Sequence, residues 1–287
     1  SFHYFGAVAR QNLAAFDLTA GGLLNWNPGA NGWVRALDIH DTTLFIGGDF
    51  STIGGASRSH IAALDGVTGV VLPWTANPDQ RVNGLMVLND VVYFVGEFQH
   101  INGSTSRLRA AAVGVDGVAR PWNPAADNTI ETLFAVGNRV YLGGDFGMVG
   151  GVSRQRLAAV DTTLGAVETS FAPTVTGSNA SVIRVDVLGD TVFFGGTFSM
   201  VNGSSRSNAA AVKGAPGTGD DGTLLGWNPN VGGPVYDIDA FDDDVYLAGG
   251  FSSVGGSSRP GIAMVDALAA GGALRVWRPV DVAGGSV

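Results

Sequence analysis

From Val34 to Trp74 apolar residues alternate with polar ones or gather in short runs. Val34-Arg35-Ala36-Leu37, Leu44-Phe45-Ile46, Ile61-Ala62-Ala63-Leu64 and Val70-Val71-Leu72 are set off by Asp, Gly and Thr. Period-two alternation bounded by turn formers is the mark of β-strands. It predicts strands at about 34–39, 43–50, 60–65 and 70–75. Tight turns fall at His40-Asp41 and Val67-Thr68-Gly69. The first of these turns is matched later by Asn89-Asp90, Gly137-Asn138, Gly189-Asp190 and Asp242-Asp243-Asp244. All are residues that tolerate the positive φ of hairpin loops. No apolar run approaches the ~18 residues of a membrane span.

The block repeats. Its anchor Phe50 recurs as Phe98, Phe146, Phe198 and Phe251, preceded by Gly47-Gly48-Asp49, Val95-Gly96-Glu97, Gly143-Gly144-Asp145, Gly195-Gly196-Thr197 and Ala248-Gly249-Gly250. An arginine follows at Arg10, Arg58, Arg107, Arg154, Arg206 and Arg259, every 47 to 53 residues. Each copy closes on an aromatic with proline close behind: Trp26-Pro28, Trp74-Pro78, Trp122-Pro124, Phe171-Pro173, Trp227-Pro229 and Trp277-Pro279. A four-stranded sheet of this size cannot cover both its apolar faces alone and stacks on its neighbours. The expected fold is therefore all-β: a six-bladed β-propeller of four-stranded antiparallel blades, forming one domain over 1–287. The repeat blocks are approximately 1–33, 34–81, 82–129, 130–181, 182–234 and 235–287. The glycine pairs let a neighbouring backbone or ring approach, the closing aromatic covers a seam between blades, and the proline ends the outer strand.

These motifs resemble the bacterial delta-60 repeat family, whose blades carry a hairpin ending in Gly-Gly-x-Phe, a loop with Gly and Arg, a short strand ending in Leu-Asp or Leu-Asn, and an aromatic-Asn-Pro closure. The resemblance covers essentially the whole chain and implies a surface or secreted propeller. Kelch blades share the diglycine and the later Trp. Ala63-Leu64-Asp65-Gly66-Val67-Thr68-Gly69 with Trp74 is similar to the quinoprotein dehydrogenase repeat, but the cofactor and calcium ligands of those enzymes have no counterpart that we can place.

Composition narrows the partners. Lys213 is the only lysine, the formal net charge is −9, and cysteine is absent. A nucleic-acid partner or an anionic membrane is disfavoured, because phosphate binding draws on clustered basic residues. Disulfide scaffolds and Cys-ligated metals are excluded.

The six arginines are the foremost candidates for chemistry. They could form a ring of anion-binding groups, or each could tie down its own loop. Two carboxylates recur near them, Asp49/Glu97/Asp145 and Asp17/Asp65/Asp161/Asp266. Around Arg206 both places hold other residues, Thr197 and Lys213, so a partner common to all six is expected to be main chain. Asp237, Asp239 and Asp242-Asp243-Asp244 invite a calcium site, yet Phe241 breaks the EF-hand spacing and the run occupies a hairpin turn. Asp220-Asp221-Gly222 lies in the longest insertion, Gly214–Thr223, and reads as a mobile loop tip. His3, His40, His60 and His100 lack metal-ligand spacing. Gly103-Ser104, Gly203-Ser204 and Gly256-Ser257 recur as loop elements instead of forming one nucleophile elbow. Asn102, Asn179 and Asn202 head glycosylation-like triplets that turn chemistry explains equally well. No catalytic, cofactor or metal residue is assigned, and the binding residues stay open.

Six outer halves stand against five inner halves, so the sixth blade lacks its inner hairpin. The expected remedies are a longer parent chain, a partner chain donating the strands, or an open ring, and the first is favoured. Loops such as 51–59 and 27–33 should emerge on one face. The functional expectation is a non-enzymatic secreted or cell-surface module that binds protein or glycan through that face. The alternative is a quinoprotein- or hydrolase-type enzyme using the central channel.

Overall fold

The structure, a computed structural model, describes residues 2–275; Ser1, Trp277, Pro279 and Val287 lie outside the described residues. No helix occurs among them, and every strand pairing is antiparallel. The chain forms two compact units, Ser1–Thr169 and Ser170–Val287.

The first unit holds three repeated sheets. In the first of them Val34–His40 pairs with Thr43–Gly48, which pairs with Ile61–Asp65. The next two sheets are Val82–Leu88/Val91–Gly96/Ala110–Gly114 and Ile130–Val136/Arg139–Gly144/Leu157–Asp161. The second unit holds two more, Ser181–Leu188/Thr191–Thr197/Ala209–Lys213 and Val235–Phe241/Asp244–Gly249/Ile262–Asp266. The hairpin turns carry the expected residues, with Asp41 at φ 53°, Asn89 at 49° and Asp242 at 53°.

The anticipated fourth strand shrinks to one bridge per copy, such as Leu64↔Val71, Val113↔Ala119 and Val212↔Leu224. The sheets are thus three-stranded plus a bridge, not four-stranded. Two features shorten it. Pro73 and Pro121 cannot donate to a ladder, and the next carbonyls, Leu72 and Arg120, are taken by Arg58 and Arg107.

Stacking follows the glycines and the aromatics. A Cβ on Gly47 would meet Val82 Cγ1 of the next sheet at 2.5 Å, and one on Gly48 would stand 2.0 Å from the Trp33 carbonyl oxygen. Both distances are below any real contact, so the first glycine lets the next sheet approach and the second lets its own sheet close at the entry to the first strand. Trp74 packs edge-on against Phe45 at 5.0 Å and donates its Nε1–H to the Gly114 carbonyl of the following sheet. Trp122 does the same with Tyr93 and Asp161 O, and Trp227 with Phe193 and Asp266 O. In these three copies the closing tryptophan seals a seam and satisfies its one polar atom there, whereas Trp26 Nε1 is buried without a partner. In the first unit the cores run from one sheet to the next; one joins Phe45, Ile61 and Ala63 to Val82, Leu85 and Phe94.

Candidate functional site

The repeated arginines are structural. Arg10, Arg58, Arg107, Arg154, Arg206 and Arg259 each donate from Nη1 to the carbonyl of the preceding residue. The first five also donate from Nη2 to carbonyls at Leu24, Leu72, Arg120, Glu168/Thr169 and Leu225. These five clamp the loop before them onto the shortened outer strand. Two residues further on every copy turns left-handed, at Asn12, His60, Arg109, Arg156, Asn208 and Gly261, with φ between 62° and 78°. That position escapes sequence reading because its residue types share no chemistry. The common signal is only distance from the arginine.

The recurring Asp17, Asp65, Asp161 and Asp266 close turns. Asp65 Oδ1 accepts the Thr68 and Val67 N–H groups at 2.7 and 3.1 Å. The backbone donation from Thr68 holds its carboxyl below the ordinary aspartate range. Asp161 is pulled down as well: burial opposes this, but donors from Leu164, Thr163 and Ala166 outweigh it.

The acidic run disperses. Asp237 pairs with Arg184 at 2.8 Å, Asp244 with Arg275 at 3.0 Å, and Asp242 sits exposed in its turn. The histidines separate too: His40 faces Asp90 at 2.9 Å and His100 faces Asp79 at 3.0 Å. Among the described residues no group of three His, Asp or Glu gathers as a metal site. Asp221, read from sequence as part of a loose loop tip, is instead buried and accepts a 2.7 Å bond from Ser170 Oγ. The insertion is pinned because its carboxylate finds a hydroxyl from the preceding copy. Asn102 and Asn202 occupy left-handed turn positions at φ 49° and 48°, where other copies use Gly54 and Gly150. Turn geometry accounts for them.

The loops 27–33 and 51–59 do lie together. Asn31 Oδ1 accepts the N–H groups of Ser51 and Thr52, and Ala30 bridges Ile53. Beside them, at the start of the first strand of each sheet, the pairing register slips by one residue. Val34 pairs with Gly48 and Ala36 with Gly47, leaving Arg35 in a β-bulge. The same slip isolates Asn83 and Glu131 in the first unit. Bulges re-aim side chains and are frequent at functional sites.

Here they build a charged cluster. Arg35 holds Asp49 at 2.9 Å, and Arg81 holds Glu97. Glu131 is half-buried: burial pushes its pKa up, Asp145 and Glu97 push the same way, and Arg81 and Arg35 oppose. Two carboxylates and two guanidiniums thus act on the Glu131 charge, while Arg109 and Arg156 donate to the neighbouring Glu97 and Phe146 carbonyls. Asn83, only 6 % exposed, donates Nδ2–H to Ile130 O, while its Oδ1 is buried with no partner. An unmade buried hydrogen bond costs roughly 1–3 kcal/mol and asks for a donor. At the rim Trp33 is 52 % exposed with the Arg35 guanidinium 5.3 Å over its ring. The arrangement offers a half-buried carboxylate, an unpartnered acceptor and an exposed aromatic. It suits a cationic hydrogen-bond donor.

No family model matches the chain, and no curated protein matches it. Solved structures do. The WD40 repeats of RRP9 align over 90 % of this chain and 71 % of their own, at 13 % identity and TM-score 0.57. The WD40 beta propeller domain of Doa1 aligns over 86 % and 68 %, at 11 % identity and TM-score 0.52. The computationally designed Ika8 protein aligns over 89 % of this chain at 16 % identity and TM-score 0.53, and the chain spans 64 % of the Ika8 chain. At these identities the likeness shows fold alone: an all-β chain of the β-propeller type.

Proposed function

We propose that this protein is a non-enzymatic binding module that captures a basic segment of a protein partner on its loop-bearing end. Glu131 carries the reading: a carboxylate raised by burial and by neighbouring carboxylates, one residue after the Ile130 carbonyl that accepts from Asn83, whose own Oδ1 is unpartnered. A lysine ammonium or arginine guanidinium placed there supplies the missing donor and relieves the carboxylate repulsion. Trp33 adds an exposed aromatic, the residue type that most often anchors an interface. The proposal includes a six-bladed ring with residues 2–33 as the outer half of one blade, and an exported or cell-surface setting. The resemblance to delta-60 repeats supports the same setting.

Fluorescence polarisation with Lys/Arg-rich and charge-neutral peptides of equal length tests it. The basic set should bind, and Glu131→Gln should weaken binding about tenfold or more. Equal binding by Glu131→Gln, or no preference for basic peptides, overturns the reading. A glycan reading has its own observation, an open depression of about 460 Å³ lined by Ser170, Asn202, Ser204, Asp221 and Thr223. A glycan array on the wild type and Asp221→Ala separates the two.

A further inference from the structure

Residues 13–17 have the sequence of a third strand but not its partner. Leu13-Ala14-Ala15-Phe16-Asp17 matches Ile61-Ala62-Ala63-Leu64-Asp65, and its outer side is made as in that copy. Leu24 N donates to Ala15 O and Asp17 N to Gly22 O, as Leu72 N donates to Ala63 O and Asp65 N to Val70 O. The inner side differs. Ile61–Asp65 pairs along its length with Thr43–Gly48, and Ala110–Gly114 and Leu157–Asp161 pair likewise with their own second strands. Residues 13–17 form no strand, only the bridge Phe16↔Leu23. Among the described residues no hydrogen bond reaches the backbone of Ala14 or Phe16, the counterparts of Ala62 and Leu64.

The surface beside this edge is open in the same way. Leu37 and Ile39 of the Val34–His40 strand are 58 % and 60 % exposed. Their counterparts Leu85 and Leu133 are 8 % exposed, and Ala135, the counterpart of Ile39, is 2 % exposed. Leu85 is covered by the preceding sheet, where its Cδ2 lies 3.2 Å from a Cβ placed on Gly47. Leu13 and Val34 already share one apolar cluster, so the free edge and the bare row adjoin.

We infer that the Leu13–Asp17 edge and the Val34/Leu37/Ile39 row receive a β-hairpin with the inner-pair chemistry of this repeat. Its second strand carries an aromatic two residues before a Gly-Gly or Val-Gly pair. The edge supplies main-chain hydrogen bonds, and the glycine lets Val34 and Leu37 approach, so one peptide satisfies both vacancies by strand addition. The occupant is identified by continuity with an interface this chain makes repeatedly. The inference does not depend on the basic-peptide reading.

The probe is a synthetic hairpin with the sequence of residues 82–98, added to the intact protein and followed by amide hydrogen exchange. Protection should appear at Ala14 and Phe16, and Leu37→Lys should weaken binding at least tenfold while leaving the fold intact by circular dichroism. Ala14→Pro, which removes an edge donor at an already unpaired site, should abolish protection at Phe16. Equal protection by a scrambled peptide overturns the inference. So does absence of protection at saturating peptide, or a concentration-dependent dimer that protects the same amides without peptide.

Discussion

The bulges of the two units differ in chemistry while agreeing in geometry. In the first unit they hold Arg35, Asn83 and Glu131, faced by Asp49, Glu97 and Asp145. In the second they hold Ile183 and Tyr236, and the facing positions are Thr197 and Gly250. The register slip is the same, and the second glycine meets the same kind of carbonyl: a Cβ on Gly196 would lie 2.0 Å from Ser181 O, as one on Gly48 would from Trp33 O. The backbone needs the glycine and not the charges. A buried carboxylate crowded by others is then a cost the fold does not require, which is the reason for reading the first-unit cluster as a site.

If glycine alone sets the bulge, Gly48→Val and Gly196→Val should be equally damaging, each by about 3 kcal/mol or more in denaturant unfolding, since the overlap is with backbone. A mild effect at either position breaks the equivalence. The seam aromatics come next: Trp122→Ala and Trp227→Ala should each cost about 3–5 kcal/mol by loss of a buried ring, again alike in both units. Thr197→Asp should cost about 1 kcal/mol, since it trades the Thr197 Oγ1–H donation to the Asn179 carbonyl at 3.0 Å for a carboxylate that only accepts. The smallest effects are on the pH dependence of stability. Glu131 has its folded pKa above the unfolded value, so its contribution falls as pH rises from the unfolded carboxyl range through the folded pKa. Glu131→Gln should flatten that decline and modestly raise stability at neutral pH. Asp65 runs the other way: its folded pKa is depressed, so its contribution is present above the unfolded value and lost as pH falls through the folded one. Asp65→Ala should remove that acid-side loss and lower Tm by no more than a few degrees, read by calorimetry across pH.

The strands, hairpin turns, glycine contacts and seam tryptophans were legible because period-two patterning and turn chemistry act locally. The main-chain role of the arginines was legible as well, through the copy around Arg206 that lacks both carboxylates. What sequence could not show depends on where carbonyls point. Leu72 O goes to Arg58 instead of a ladder, which shortens the fourth strand. The Glu131 cluster was hidden for a related reason. Arg35, Asn83 and Glu131 share a position but not a type, and only the bulge reveals that this position faces Asp49, Glu97 and Asp145. Asp221 looked like solvent-exposed insertion because its hydroxyl partner, Ser170, lies in the preceding copy.

The pinned insertion has a practical corollary. Gly214–Thr223 lengthens the link between Ala209–Lys213 and the outer bridge at Leu224, yet Leu225 N still donates to Ala211 O, as Leu72 N does to Ala63 O in a copy with a short turn. Lengthening that link leaves the repeat frame undisturbed. The same corner in other copies, such as Val67-Thr68, is accordingly a place to splice in a reporter domain or an affinity tag.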